Sequence, residues 1–142
     1  RQMCIRDRIE ALRFSASVQF IDNVPPATLV DLYRRCTVFV FPSTVETFGN
    51  PLVEAMACGA AIASSATAAM PEIVGECAEF FDPFDPTDIA DAVLRLLHDP
   101  ARRAELGSAG IRRAQGFSWQ SSAQRAADIF RRAVSPSSSA SL

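Results

Sequence analysis

Two glutamates, Glu46 and Glu54, bracket the segment Glu-Thr-Phe-Gly-Asn-Pro-Leu-Val-Glu. An ionised carboxylate only accepts hydrogen bonds, so each acid suits a ligand hydroxyl. The two stand eight positions apart, about 12 Å of rise if the segment were one continuous helix. The acid pair of a glycosidase lies roughly 5 to 9.5 Å apart, so this spacing speaks against a single hydrolytic dyad. Between them, Gly49 lets backbone approach a ligand closely, and Pro51 is preset for the first turn of a helix. Free N–H groups and the dipole at that helix start favour an anion such as a phosphate. A ligand with hydroxyls at both ends and phosphate between, as in a nucleotide sugar, fits all of these features. Local pattern alone also fits a plainer reading, with Glu46 favouring a helix N-terminus and Glu54 lying on a solvated face.

The neighbouring elements place this segment. Thr37–Phe41 (TVFVF) and Ala60–Ser64 (AAIAS) are short apolar runs without alternation, as expected of parallel strands covered on both faces. Ser17–Ile21 is a third strand candidate and Glu79–Asp82 a short fourth. Thr28–Cys36 is helical, with Leu29, Leu32, Tyr33 and Cys36 on one stripe; Pro51–Cys58 is a second helix, and Pro71–Gly75 a single turn. The order predicts an α/β fold, a Rossmann-like doubly wound parallel sheet followed by C-terminal helices. In such a sheet ligands bind beyond the carboxyl ends of the strands, which puts Thr44–Asn50 in the crevice. Asp85-Pro86-Thr87-Asp88 starts a helix whose apolar face is Ile89, Val93, Leu94, Leu96 and Leu97. A second runs from about Ala101 to Gln115. A third follows Phe117-Ser118-Trp119 to about Val134, with Ala123, Ala126, Ala127, Ile129 and Phe130 inward.

The 142 residues suit one domain with a real core. A net charge of −2 gives no electrostatic case for a nucleic-acid partner. Every basic side chain is Arg, which reads as coding bias. Cys4, Cys36, Cys58 and Cys77 form no C-x-x-C pair, and His98 alone cannot complete a usual zinc site. The cysteines read as buried structural thiols, and the cytoplasm as the compartment. No apolar run is long enough for a membrane span. Arg102, Arg103, Arg112 and Arg113 read as helix-surface charges; contact with anionic lipid, peripheral to the inner face of a membrane, is the minor alternative. Trp119 with Phe117 reads as a packing anchor, and His98 suits a helix C-terminus. Residues 1–15 read as an N-terminal remnant, partly helical, of a longer chain. Residues 135–142, SPSSSASL, read as a disordered polar tail.

The string VFVFPSTVETFGNPLVEAMACG resembles the signature region of retaining glycosyltransferases of family 4, which have the GT-B fold and an E-x7-E hallmark, here Glu46 and Glu54. The resemblance extends through VQFIDNVPPATLVDLYRRC, AMPEIVGECAEFFDPFDPTDIADAVLRLLHD and FSWQSSAQRAADIF, about residues 16 to 134. It implies that this segment is an incomplete nucleotide-sugar-binding domain, the C-terminal half of a GT-B enzyme truncated at its N-terminus. It implies that Glu46, the expected catalytic-site acid, contacts donor-sugar hydroxyls and is not a nucleophile. The backbone at Phe48, Gly49, Asn50, Pro51 and Leu52 would approach the sugar and diphosphate, and Glu54 the ribose. Asp22–Val24 would lie near the base, although the family often has Gly at Asp22. Asn50 stands where the family often has Leu, and its amide would add a sugar contact. Pro71 and Glu72 read as turn and cap residues.

The implied reaction moves a sugar from a UDP-, GDP- or ADP-sugar to an acceptor hydroxyl, with retention, through an oxocarbenium-like state and without cofactor or metal. The acceptor is unknown. The family's diphosphate-binding Arg and Lys have no counterpart in this segment, and the acceptor-binding N-terminal domain would be a partner supplied by the rest of the parent chain. The segment alone is therefore expected to be inactive. The alternative is a non-catalytic sugar-nucleotide-binding or interaction module with the same fold.

Overall fold

The computed structural model describes residues 9, 11 and 17–134. Most of the expected remnant 1–15, Cys4, and the expected tail 135–142 lie outside the described residues. The elements are α1 (Pro26–Arg35), β1 (Phe39–Phe41), α2 (Asn50–Ala57), β2 (Ile62–Ser65), α3 (Met70–Val74), β3 (Ala78–Phe81), α4 (Pro86–His98), α5 (Pro100–Ala114) and α6 (Trp119–Val134). The three strands form one parallel sheet in the order β1-β2-β3. Phe39 pairs with Ile62, and Ile62 with Ala78.

The strands lack alternation because both faces are covered. Ile62 and Ala63 are both fully buried, yet they belong to different cores. Ile62, with Phe39, Phe41, Ala78 and Phe80, faces a core built from α1, α2 and α3. Ala63, with Val38, Val40 and Phe81, faces Ala92 and Leu96 of α4 and Leu106 of α5. Period-two geometry sends successive side chains to opposite faces, so a strand between two helix layers must be apolar throughout.

Each helix has a local reason for its start or stop. The Asp85 carboxylate accepts from the Thr87 amide at 2.8 Å and the Asp88 amide at 3.4 Å, capping α4 as its sequence predicts. Helix α2 ends where Gly59 takes φ +76°. There the Gly59 amide donates to Met56 and the Ala60 amide to Ala55, which satisfies carbonyls that the helix leaves unpaired. Helix α5 crosses α2 at Gly107 and Gly110, where an added Cβ would stand 2.5 Å from the Gly59 carbonyl oxygen and 3.3 Å from Met56 Cγ, respectively.

Several expectations need correction. Ser17–Ile21 forms no strand; Val18, Phe20 and Ile21 are exposed. An apolar run becomes a strand only where a neighbour completes its ladder, and no described strand does so here. On α1, Leu32 is exposed and Tyr33 is the buried residue. On α4, Leu94 and Leu97 are exposed, while Ala92 and Leu96 are fully buried. Helix α6 buries none of its residues: Ile129 is 65% and Phe130 71% exposed. Trp119, at 92% exposure, anchors nothing among the described residues. The pattern marked an apolar face correctly, but no described element lies over it.

Two arginines read as surface charges instead cap helices. The Arg103 guanidinium donates to the carbonyls of Leu96 and Leu97 at the end of α4. The Arg113 guanidinium donates to those of Glu72 and Ile73 at the end of α3. Arg102 pairs with Glu105 and Glu79. Cys36, Cys58 and Cys77 are free thiols; Cys77 is buried and the other two half-buried. Burial pushes the thiols of Cys36 and Cys77 above their usual range. Among the described residues, no helix is long and apolar enough to cross a membrane.

Candidate functional site

Strand β1 ends at Phe41, and residues 42–49 then cross the carboxyl end of the sheet before α2 begins. Hydroxyls from the end of β2 and just past it pin this loop. Ser65 Oγ donates to the Ser43 carbonyl at 2.6 Å, and Thr67 Oγ1 to the Thr44 carbonyl at 3.3 Å. Ser65 is fully buried, so the first bond also satisfies a hydroxyl that would be costly to leave unpaired. Ser43 in turn donates from Oγ to Glu46 Oε1 at 3.0 Å, which holds the half-buried carboxylate.

Gly49 turns the chain into α2. It is buried in the left-handed region at φ 78°, ψ 57°, where a side chain would be strained. Its carbonyl accepts from the Leu52 amide at 2.9 Å. No side chain caps α2, and no acid lies in its first turn. Among the described residues, the amides of Phe48, Gly49 and Asn50 donate to no protein acceptor. These are the donors open to a ligand, since Pro51 has no N–H and the Leu52 amide is already engaged. The Leu52 side chain is fully buried and belongs to the core. Asn50 is exposed at the start of the helix.

Glu54 lies on the exposed side of α2 and accepts a hydrogen bond on Oε2 from the Tyr33 hydroxyl of α1, at 3.2 Å. Tyr33 is only 6% exposed, and its ring meets Phe39 edge-on at 5.2 Å. Burial, and then the charge of Glu54, push the phenol up to about 12. A tyrosine on a buried stripe needs a partner for its hydroxyl, and that requirement is the signal of this contact in the sequence. The roles of Ser43, Ser65 and Thr67 had no sequence signal, because each depends on which strand end lies next to β1.

Phe48 is 40% exposed and packs edge-on against Phe117 at 5.8 Å. A hollow of about 460 Å³ opens beside it, lined among others by Asn50, Val53, Phe117, Trp119 and Arg125. A second, of about 580 Å³, continues past Arg113 and Ile129. Neither of these two hollows is lined by Glu46 or Glu54. Asp22 and Asn23 are exposed, with Asn23 in left-handed backbone at φ 53°. The structure thus brings Glu46, Phe48, Gly49, Asn50 and Glu54 to one strand-to-helix junction.

Comparison with known proteins identifies the family and the fold. The family described as "Glycosyl transferases group 1" matches residues 1–113. The serotype-specific mannosyltransferase WbdA of Escherichia coli is 39% identical over 109 residues, which is 77% of this chain and 13% of that protein. Sucrose-phosphate synthase of Thermosynechococcus elongatus superposes with a TM-score of 0.83 at 30% identity, over 91% of this chain and 33% of that one. The Anabaena protein Alr3699/HepE, solved in complex with UDP, superposes with a TM-score of 0.76 at 22% identity, over 90% and 36%. The chain therefore spans about a third or less of these proteins. Its sheet and flanking helices are those of the GT-B fold, and by sequence the chain belongs to the glycosyl transferases group 1.

Proposed function

We propose that this chain is the donor-binding part of a retaining glycosyltransferase of the hexosyltransferase type, with the cytoplasm as its compartment. A nucleoside diphosphate sugar lies across the start of α2. Glu46 accepts from hydroxyls of the donor sugar, and the exposed Asn50 amide adds a contact there. The amides of Phe48, Gly49 and Asn50 take the diphosphate, and Glu54 takes the ribose. The observation that carries this reading is the start of α2: three unpaired backbone donors and no capping side chain, with one acid before them and another on the helix.

As the bond to the leaving diphosphate breaks, negative charge grows on it. Preoriented amides and the helix dipole lower that barrier because they need no reorganisation at the moment of reaction. The sugar passes through an oxocarbenium-like state, and the acceptor hydroxyl arrives on the same face, bonds to the anomeric carbon and gives its proton to the departing diphosphate oxygen, without a metal ion. Residues outside this segment supply the acceptor site, so the segment alone transfers no sugar. A neighbour of the same fold was solved in complex with UDP, which supports a nucleotide as part of the ligand.

Titration calorimetry of the full-length protein with UDP-, GDP- and ADP-sugars tests the reading and names the donor. Binding of one class, weakened in Glu46→Gln and in Glu54→Gln with turnover lost in step, is the expected result. No heat with any nucleotide sugar or free nucleotide would leave a non-catalytic interaction module as the better description.

A further inference from the structure

We infer that Tyr33 is a positioning residue, whose hydroxyl fixes the Glu54 carboxylate for the ribose of the bound nucleotide. The inference rests on the proposed function of the α2 site and adds a residue of α1 to it.

A glutamate on an exposed helix face samples many rotamers, and a ligand that binds it must oppose that freedom. Glu54 does not have it. Its Oε2 accepts from Tyr33 at 3.2 Å, and Tyr33 itself cannot move freely. Its ring is 6% exposed and set edge-on against Phe39, with centroids 5.2 Å apart. The fixed ring orients the hydroxyl, and the hydroxyl orients the carboxylate. Among the described residues Glu54 has no second partner, so Oε1 stays open to a hydroxyl from solvent or ligand.

Core packing does not account for the phenol oxygen. Phenylalanine would fill the same space against Phe39 and leave no polar group to satisfy. The oxygen is accounted for by its one acceptor, and that acceptor lies on the helix whose start forms the site. Burial, and then the charge of Glu54, push the phenol up to about 12, so near neutral pH it is a donor. Glu46 differs: the Ser43 hydroxyl that lies 3.0 Å from its Oε1 also stands 3.3 Å from the Val45 carbonyl, so its one proton is shared between two acceptors.

Tyr33→Phe in the full-length protein removes the hydroxyl and keeps the ring. Calorimetry should use the nucleoside diphosphate that the unsubstituted protein binds, beside its 2′-deoxy and 3′-deoxy counterparts. Loss of one orienting hydrogen bond should weaken the ribonucleotide about fivefold. The deoxy form that lacks the contacted hydroxyl should bind both proteins equally. KM for the donor should rise while kcat holds. In a Glu54→Ala background, Tyr33→Phe should have no further effect. Equal weakening of all three nucleotides, or no weakening, overturns the inference while the function stands. Failure of the unsubstituted protein to bind any nucleotide overturns both. A matched far-ultraviolet circular dichroism spectrum separates loss of the contact from loss of the fold; if Tyr33→Phe does not fold, the hydroxyl serves the core and the inference fails.

Discussion

Replacing Gly107 by alanine should destabilise the protein, although it improves the helix. Alanine is favoured over glycine in a helix interior by about 1 kcal/mol, so propensity alone predicts a gain. The packing reverses the sign. A Cβ at position 107 would stand 2.5 Å from the carbonyl oxygen of Gly59, nearer than a real Cβ approaches such an atom. That oxygen cannot yield, because its residue is locked in the turn that ends α2 and leads into β2. Helix α5 must withdraw by about half an ångström or more, and a gap of that size forfeits a quarter or more of each contact across it. Overpacking of this kind costs about 1–3 kcal/mol, and a backbone neighbour puts the cost near the upper end. Offset by propensity, the net loss is about 2 kcal/mol, or about 6 °C in Tm for a chain of this length. Two controls sharpen the measurement. Gly110→Ala meets the Met56 side chain at 3.3 Å and its Cα at 3.4 Å, and should cost less. Ser108→Ala, on the exposed side of α5, should gain about 0.5 kcal/mol from propensity. Urea and thermal unfolding followed by circular dichroism read all three. If Gly107→Ala is as stable as the parent protein, α5 does not pack on α2 as described. The start of α2 would then not be seated by this contact either.

Arg113→Leu should cost about 1–2 kcal/mol, since it frees the carbonyls of Glu72 and Ile73 at the end of α3; Arg113→Lys should recover less than half, because an ammonium lacks the fork. Faster amide exchange confined to α3 and the turn after it would locate the effect, and unchanged exchange would refute it. Asp85→Ala removes the acceptor of two amides at the start of α4 and should lower stability by about 1 kcal/mol in urea unfolding; Asp85→Asn should retain most of it. Tyr33 is the single tyrosine of this chain, so ultraviolet titration of the chain reads it directly, and it should ionise near 12 rather than 10. A folded value raised above the unfolded one gives stability that is fully present below pH 10 and is lost as the pH rises through 12. Ionisation near 10 in the folded chain would refute the buried bond to Glu54.

The sequence by itself determined most of the elements and marked the candidate site. Apolar runs without alternation marked β1 and β2 as strands covered on both faces, and Asp85 marked the start of α4, because these signals are carried by neighbouring residues. The junction of Glu46, Gly49, Pro51 and Glu54 was legible for the same reason: acids, a glycine and a proline within nine positions state their own geometry. Tertiary structure decided what lies opposite each face. Ser17–Ile21 has the pattern of a strand but pairs with no described strand, and α6 has an apolar stripe with no described element over it. Arg103 and Arg113 look like surface charges until the helix ends that they cap come within reach, seven and forty positions away. Gly107 has no meaning until Gly59 arrives against it, and the hydroxyl of Tyr33 none until Glu54 does. Hydrogen bonds and close packing are relations between groups distant in the chain, and periodicity within one segment carries no information about its partner.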